Sequence, residues 1–260
     1  MLESEAQRSR AASGDCFAGI VQRILNAHLL ERCGVLVAPA HREHLAAAVG
    51  SQSQADALLE RFSIQTPRPC DGKPLGVYPR GMLLAVHQPA GATLWRIVCA
   101  IDCSVSLHSR QAEICFWAQA LRAVTRFVFV TEDRDVYSAR HRSELGRSCE
   151  EATLPRRLLE TFTDGVYLVR RYPTTSSPDL LRDIDAFEKR DRACSLPIYH
   201  PEGLEGHTRY CSRVRPLDDL VKHLQEWSAA ETGAHVALPR PGLPEGKTSP
   251  HPHSRERSRS

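Results

Sequence analysis

The sequence predicts an α+β fold, a mostly antiparallel central sheet with helices packed on one side. Three observations predict it. Short β-rich runs cluster between residues 82 and 172; segments of helical period lie before them, over 15–62, and after them, over 178–229; and a Pro- and Gly-rich stretch, 63–81, parts the first helices from the strands. With 260 residues, 42% of them hydrophobic, the chain can bury a core without disulfide or metal staples.

The first element is DCFAGIVQRILNAHLLERC, which sets Phe17, Ile20, Val21, Ile24, Leu25 and Leu29 on one helical face and is followed by Gly34, the residue a left-handed C-cap favours. After the brief run VLVA, PAHREHLAAAV before Gly50 reads as a second helix with Pro39 at its first turn, and QADALLERF as a third ending near Phe62. Residues 63–81 carry too many prolines and glycines for a helix or a central strand and read as an ordered loop. MLLAVH and TLWRIVCAID around HQPAGA read as a β-hairpin, and QAEICFWAQALR as a helix. FVFVT, EDRD and VYSAR read as a second hairpin with an acidic, wet turn. ATLPRRLLETF is a helix, Asp164-Gly165 a turn and VYLVRRY a strand; LLRDIDAFEKR and PLDDLVKHLQEW close the domain as helices. The expected organisation is a flexible N-terminus over 1–14, one α+β domain over 15–231 and a disordered basic Ser/Arg tail over 232–260.

Nine cysteines without a CxxC pair spell out neither a disulfide framework nor a zinc ribbon, so they read as reduced core thiols. The N-terminal residues have mixed charge and no apolar core of the kind a secretory signal has, and no apolar run reaches the roughly 20 residues of a membrane span. A cytoplasmic or nuclear protein is expected. The net charge of +3 is carried by the tail, where Arg240, Lys247, Arg255, Arg257 and Arg259 outnumber Glu245 and Glu256, which leaves the body neutral. Nucleic-acid contact is therefore expected only through the tail, because phosphate neutralisation by basic residues supplies most non-specific affinity.

The chemistry-bearing residues form no standard motif. His41 and His44 flank Arg42-Glu43 at a spacing of three, whereas the zincin pattern HExxH needs four; read instead as the HxE of a zinc deaminase, the stretch lacks the second cysteine of PCxxC, since Lys73 stands there after Pro69-Cys70. Cys99 and Cys103, four apart on a strand, lie about 13 Å from each other, too far to share a metal ion. His200, His207 and Cys211 have no regular spacing. There is no GxSxG elbow, no GxxxxGK[ST] and no GxGxxG. An enzyme of dispersed site would need Glu132, Asp133 or Asp102 to converge with His87 or His108 in a cleft.

The stretch from Phe127 to Tyr172 resembles the unique-short-22 family of betaherpesvirus regulatory and tegument proteins. The likeness rests on Val128 and Val130, the turn at Asp133 to Asp135, Val136-Tyr137, a helix reaching Leu159 and Phe162, and Gly165-Val166; upstream, Gly76, Pro79, Leu83, Leu84 and Val86 resemble its Gly-x-x-Pro stretch. The resemblance implies a SUKH-like α+β domain that serves as a protein-binding surface and counters host defences. The expected function is accordingly a non-enzymatic viral interaction protein, with no cofactor, engaging a host or viral protein through its sheet and the 63–81 loop, with Tyr78, Trp95, Arg255, Arg257 and Arg259 as candidate partner contacts. The alternatives are a nuclease or hydrolase with a dispersed Asp/Glu/His site and a nucleic-acid-binding regulator acting through the tail.

Overall fold

In the computed structural model the described residues are 5–105, 107, 110–132, 144–146, 149–169, 211 and 213–230, with side chains described from Phe17 onward. The helix expected over 15–33 lies within α1 (Glu5–Cys33), and its apolar stripe, Phe17 to Leu29, is buried. Gly34, with φ 65, ends it and returns its N–H to the Leu30 carbonyl at 3.1 Å. Next come β1 (Val35–Pro39), α2 (Arg42–Val49) and α3 (Gln52–Arg61), the last two joined by Arg42, whose guanidinium donates to both oxygens of Asp56 at 2.7 Å.

Residues 63–81 do not form a loop alone. They build β2 (Ile64–Pro67) and β3 (Pro74–Val77), an antiparallel two-stranded ribbon separate from the main sheet. Prolines are tolerated there because a free-standing ribbon has open edges on which a missing N–H goes unnoticed.

The main sheet has the order β1-β4-β5-β6-β7-β8. It uses β4 (Leu83–His87), β5 (Arg96–Ser104), β6 (Arg126–Thr131), β7 (Gly165–Leu168) and β8 (Val214–Pro216). β1, β4 and β5 run antiparallel; β5, β6, β7 and β8 run parallel. The fold is α+β, a mixed central sheet flanked by helices. The hairpin expected at HQPAGA is the β4–β5 pair. The second expected hairpin is not formed by β6: its edges are taken by β5 and β7, and Asp164 closes the remaining end by accepting the Phe127 N–H at 2.8 Å. Residues 133–143 and the helix expected over 180–190 lie outside the described residues.

The helices cover both faces of the sheet rather than one. α1 and α6 (Leu217–Ala230) pack on one face; α2, α3, α4 (Gln111–Ala120) and α5 (Leu154–Phe162) pack on the other. The reason is the parallel half, because successive parallel strands require crossovers that return over a face. The central strands are buried on both sides, which is why LLAV, VCAI and FVFV read as unbroken apolar runs.

Two polar devices hold the layers. Asn26 of α1 reaches the outer edge of β1, accepting the Val37 N–H at 2.7 Å and donating to the Val37 carbonyl at 2.9 Å, so that no strand template is left at that position. On the far side Arg156 of α5 is fully buried: its Nε donates to Glu160 at 2.8 Å, and its Nη2 donates to the sulfurs of Cys149 at 3.2 Å and Cys211 at 3.4 Å.

Asn26→Ala strips the Val37 amide of its partner and should lower the unfolding free energy by about 2 kcal/mol; a urea midpoint equal to wild type would show that water restores the lost bonds. Arg156→Met abandons a part-buried carboxylate and should cost about 3 kcal/mol, with much of it recovered in the Arg156→Met/Glu160→Met pair. Guanidinium denaturation of the single and double variants measures that recovery.

Candidate functional site

The C-terminal ends of parallel strands form the edge where open sheets of this kind bind ligands, since the chain there turns outward and side chains can gather. In this protein the edge carries Asp102 and Ser104 at the end of β5 and Thr131 at the end of β6, with Glu132 immediately after. All four are buried, Asp102 completely and Glu132 with only 4% of its surface exposed. The register explains the grouping: Asp102 lies opposite Phe129, and Ser104 opposite Thr131. On β5, Ala100 belongs to the core under α2–α5, so Asp102 and Ser104, two and four residues further, face the same way.

Asp102 is the unusual member. Neither of its carboxylate oxygens has a hydrogen-bond partner among the described residues, and its nearest cation is Arg110, just before α4, with Nη2 3.4 Å from Oδ1. Burial pushes the carboxyl up to about 6, against the pull of Arg110. Burial likewise raises the neighbouring Cys103 thiol, so that side chain stays neutral. Arg110 also lies 3.8 Å from Glu113. The edge therefore presents one buried carboxylate of open coordination, a second buried acid, two hydroxyls and a guanidinium about a third exposed.

A catalytic divalent ion such as Mg²⁺ needs one or two protein carboxylates and completes its shell with water and substrate phosphate. The two orphaned oxygens of Asp102 meet that need. Among the described residues no group of three or more His, Cys, Asp or Glu side chains forms a closed metal cage, which a structural zinc would require.

Residues 82–193 match the family model of BsaWI restriction endonuclease type 2. The matched span opens at Met82 and takes in β4, β5, α4, β6, α5 and β7, and with them Asp102, Arg110 and Glu132. No curated protein matches the chain.

The match overturns the resemblance to the unique-short-22 family, and with it the readings as a non-enzymatic, tegument or host-defence-modulating protein. The apolar alternation that carried the resemblance is what any buried strand shows. Gly76 lies in the β2–β3 ribbon and Pro79 follows it, both ahead of the matched span. Gly165 opens β7, where a Cβ would lie 2.9 Å from the Tyr167 ring, so packing accounts for that glycine. Val136 and Tyr137 lie outside the described residues.

Of the expected partner contacts, Tyr78 and Trp95 are half-buried against the core under α2–α5, and Arg255, Arg257 and Arg259 lie outside the described residues. The dispersed acid/base set is brought together only in part. Asp102 and Glu132 share the edge; His87 sits at the other end, opposite Arg96 at the start of β5; His108 and Asp133 are not described. Glu132, expected in a wet turn, is buried. His41 and His44 are exposed on α2, their rings 5.5 Å apart. Cys211 takes N–H groups from Arg156, Arg213 and Val214, while His200 and His207 are not described. Ser104, Thr131 and Arg110 were not singled out by the sequence, which offered no signal beyond their place beside Asp102 and Glu132. No helix among the described residues is long and apolar enough to cross a membrane.

The raised carboxyl has a measurable consequence. Folded Asp102 keeps its proton up to about pH 6, whereas the ordinary value is 3.8, so between them the folded chain binds more protons than the unfolded one and stability falls as pH rises. Asp102→Asn lacks this loss. In metal-free buffer the wild type should lose on the order of 3 kcal/mol relative to Asp102→Asn between about pH 4 and about pH 7. A constant difference in urea unfolding across that range would mean the carboxylate is solvated.

Proposed function

We propose that this protein is a nuclease that hydrolyses the phosphodiester backbone of DNA with a divalent cation held at Asp102. One observation carries the reading: the span matching a restriction endonuclease family contains a completely buried carboxylate that meets only the loosely placed Arg110 as a cation among the described residues, at the strand edge where such sheets bind ligands. A buried carboxylate this weakly compensated costs stability, and sites retain such groups where a cationic ligand completes them.

Asp102 supplies the anionic oxygens that would hold the ion; Ser104 and Thr131 line the same edge, and Glu132 follows Thr131 in the chain. When bound, the cation withdraws charge from the scissile phosphate and lowers the pKa of a coordinated water. Arg110, about a third exposed, is placed to give up its loose contact with Asp102 and pair with a phosphate oxygen, for which the guanidinium fork is suited. Glu113 lies 3.8 Å from Arg110 and shares its charge. The apolar floor under this edge, Ala100, Phe129 and Ile114, excludes bulk water and strengthens every charge interaction above it.

Incubating the protein with supercoiled DNA and Mg²⁺ or Mn²⁺ should give nicked or linear product, and EDTA should abolish it. Asp102→Asn should reduce the rate about 10²-fold or more, the scale of losing one preorganised electrostatic group. At limiting Mg²⁺, cleavage by the wild type should decline as pH falls, because protons compete with the cation for the raised Asp102 carboxyl, and excess Mg²⁺ should shift the loss to lower pH. Undiminished cleavage by Asp102→Asn, or none by the wild type with either cation, would sink the proposal.

A further inference from the structure

We propose that the β2–β3 ribbon is a DNA-reading arm: it enters the major groove of a B-form duplex and seats the backbone over the Asp102 edge. The proposal rests on the nuclease reading for its substrate, and on the ribbon's own charge, geometry and position for the role.

The ribbon is built to project. Its base is anchored, because Ile64 and Val77 pair in register and pack with Tyr78 against the core under α2–α5. Beyond the base, Gln65, Pro67, Pro74, Leu75 and Gly76 are exposed, and so is every residue of the tip from Arg68 to Lys73. An isolated two-stranded hairpin is marginal in water, and an open ribbon edge invites aggregation, so a protein that keeps one extended has a use for it. The tip is also ordered from within. Arg68 donates its N–H to the Lys73 carbonyl at 2.8 Å, Gly72 closes the turn onto the Arg68 carbonyl at 2.8 Å, and Asp71 accepts the Lys73 N–H at 3.2 Å. The Asp71 carboxylate further holds both cations of the tip, Arg68 at 3.5 Å and Lys73 at 3.9 Å.

The charge matches a polyanion. Over residues 61–82 the basic residues are Arg61, Arg68, Lys73 and Arg80, all exposed, and the sole acid is Asp71. This local concentration sits on a chain whose net charge is only +3.

Position ties the arm to the site. β3 leads through residues 78–82 into Leu83, which pairs with Ile101, so the ribbon springs from the sheet at the level of Asp102, and its base packs on the face toward which Asp102 points. The dimensions favour duplex DNA. Two paired strands of four residues rise about 13 Å, enough to pass the roughly 8.5 Å depth of a major groove that is about 12 Å wide and admits a two-stranded ribbon. The deep, narrow major groove of A-form RNA does not admit one.

The test is fluorescence anisotropy of the full-length protein with a labelled DNA duplex, in EDTA and over a range of salt, beside the cleavage assay in Mg²⁺. Arg68→Ala/Lys73→Ala should weaken binding and reduce the slope of log affinity against log salt by about 2. Arg68→Lys/Lys73→Arg should retain the slope, and Asp71→Asn should bind more tightly than wild type, a sign opposite to that of misfolding. An RNA duplex should bind with no dependence on these residues. Wild-type binding and cleavage with Arg68→Ala/Lys73→Ala unchanged in both affinity and slope would overturn the arm and leave the nuclease standing. Ribbon-dependent DNA binding without cleavage would support the arm while sinking the nuclease; no binding and no cleavage would sink both.

Discussion

The parallel pairing of β5 with β6 is the constraint on which the rest of the molecule depends. It is this register, with Asp102 opposite Phe129 and Ser104 opposite Thr131, that brings the ends of two strands to one edge and closes apolar side chains beneath Asp102. A carboxylate held there is shut off from bulk water, and among the described residues one loosely placed guanidinium, Arg110, faces it. Such an arrangement costs stability, which the two apolar cores on either face of the sheet must offset. A site of this kind is stable only inside a scaffold that is over-determined elsewhere.

That over-determination is visible on the opposite face and at the edges. α1 and α6 bury one side of the sheet. Asn26 completes the hydrogen bonding of β1, and His223 of α6 joins two strands, with its Nδ1 2.6 Å from the Tyr167 hydroxyl and its Nε2 2.6 Å from Arg215. Since a guanidinium only donates, Nε2 must accept, which keeps the ring neutral; burial and then Arg215 both depress its pKa. Arg156 does similar work under α5, spanning Glu160 and two sulfurs. Asn26, His223 and Arg156 each find hydrogen-bond partners, whereas neither oxygen of Asp102 at the carboxyl edge has one among the described residues.

Much of the architecture was legible. The stripe from Phe17 to Leu29, the glycine stops at 34 and 50, the β4–β5 hairpin and the amphipathic α6 follow from local periodicity and turn chemistry. The site was not. Asp102 stands within IVCAIDCS, a string that reads as core strand with one polar interruption, and nothing nearby tells whether that interruption faces water or an apolar floor. Glu132 was misjudged for a related reason: an acid at the end of FVFVT looks like the entry to a wet turn unless β6 is known to be central, with both edges taken. The viral-family likeness failed because it was carried by apolar alternation, which reports burial and little else. The ribbon was missed because its prolines argue against a central strand and are silent about a free one.

Composition and periodicity were enough to decide that this chain makes helices around a buried sheet, because those signals are local and repeat every two or 3.6 residues. Strand order and direction are settled by contacts between segments far apart, and they alone determine which end of which strand is shared. Burial of Asp102, its raised carboxyl and its company with Glu132 exist only after β5 and β6 lie side by side, since a carboxylate's affinity for a proton or a cation is set by the dielectric and charges around it and not by its neighbours in the chain.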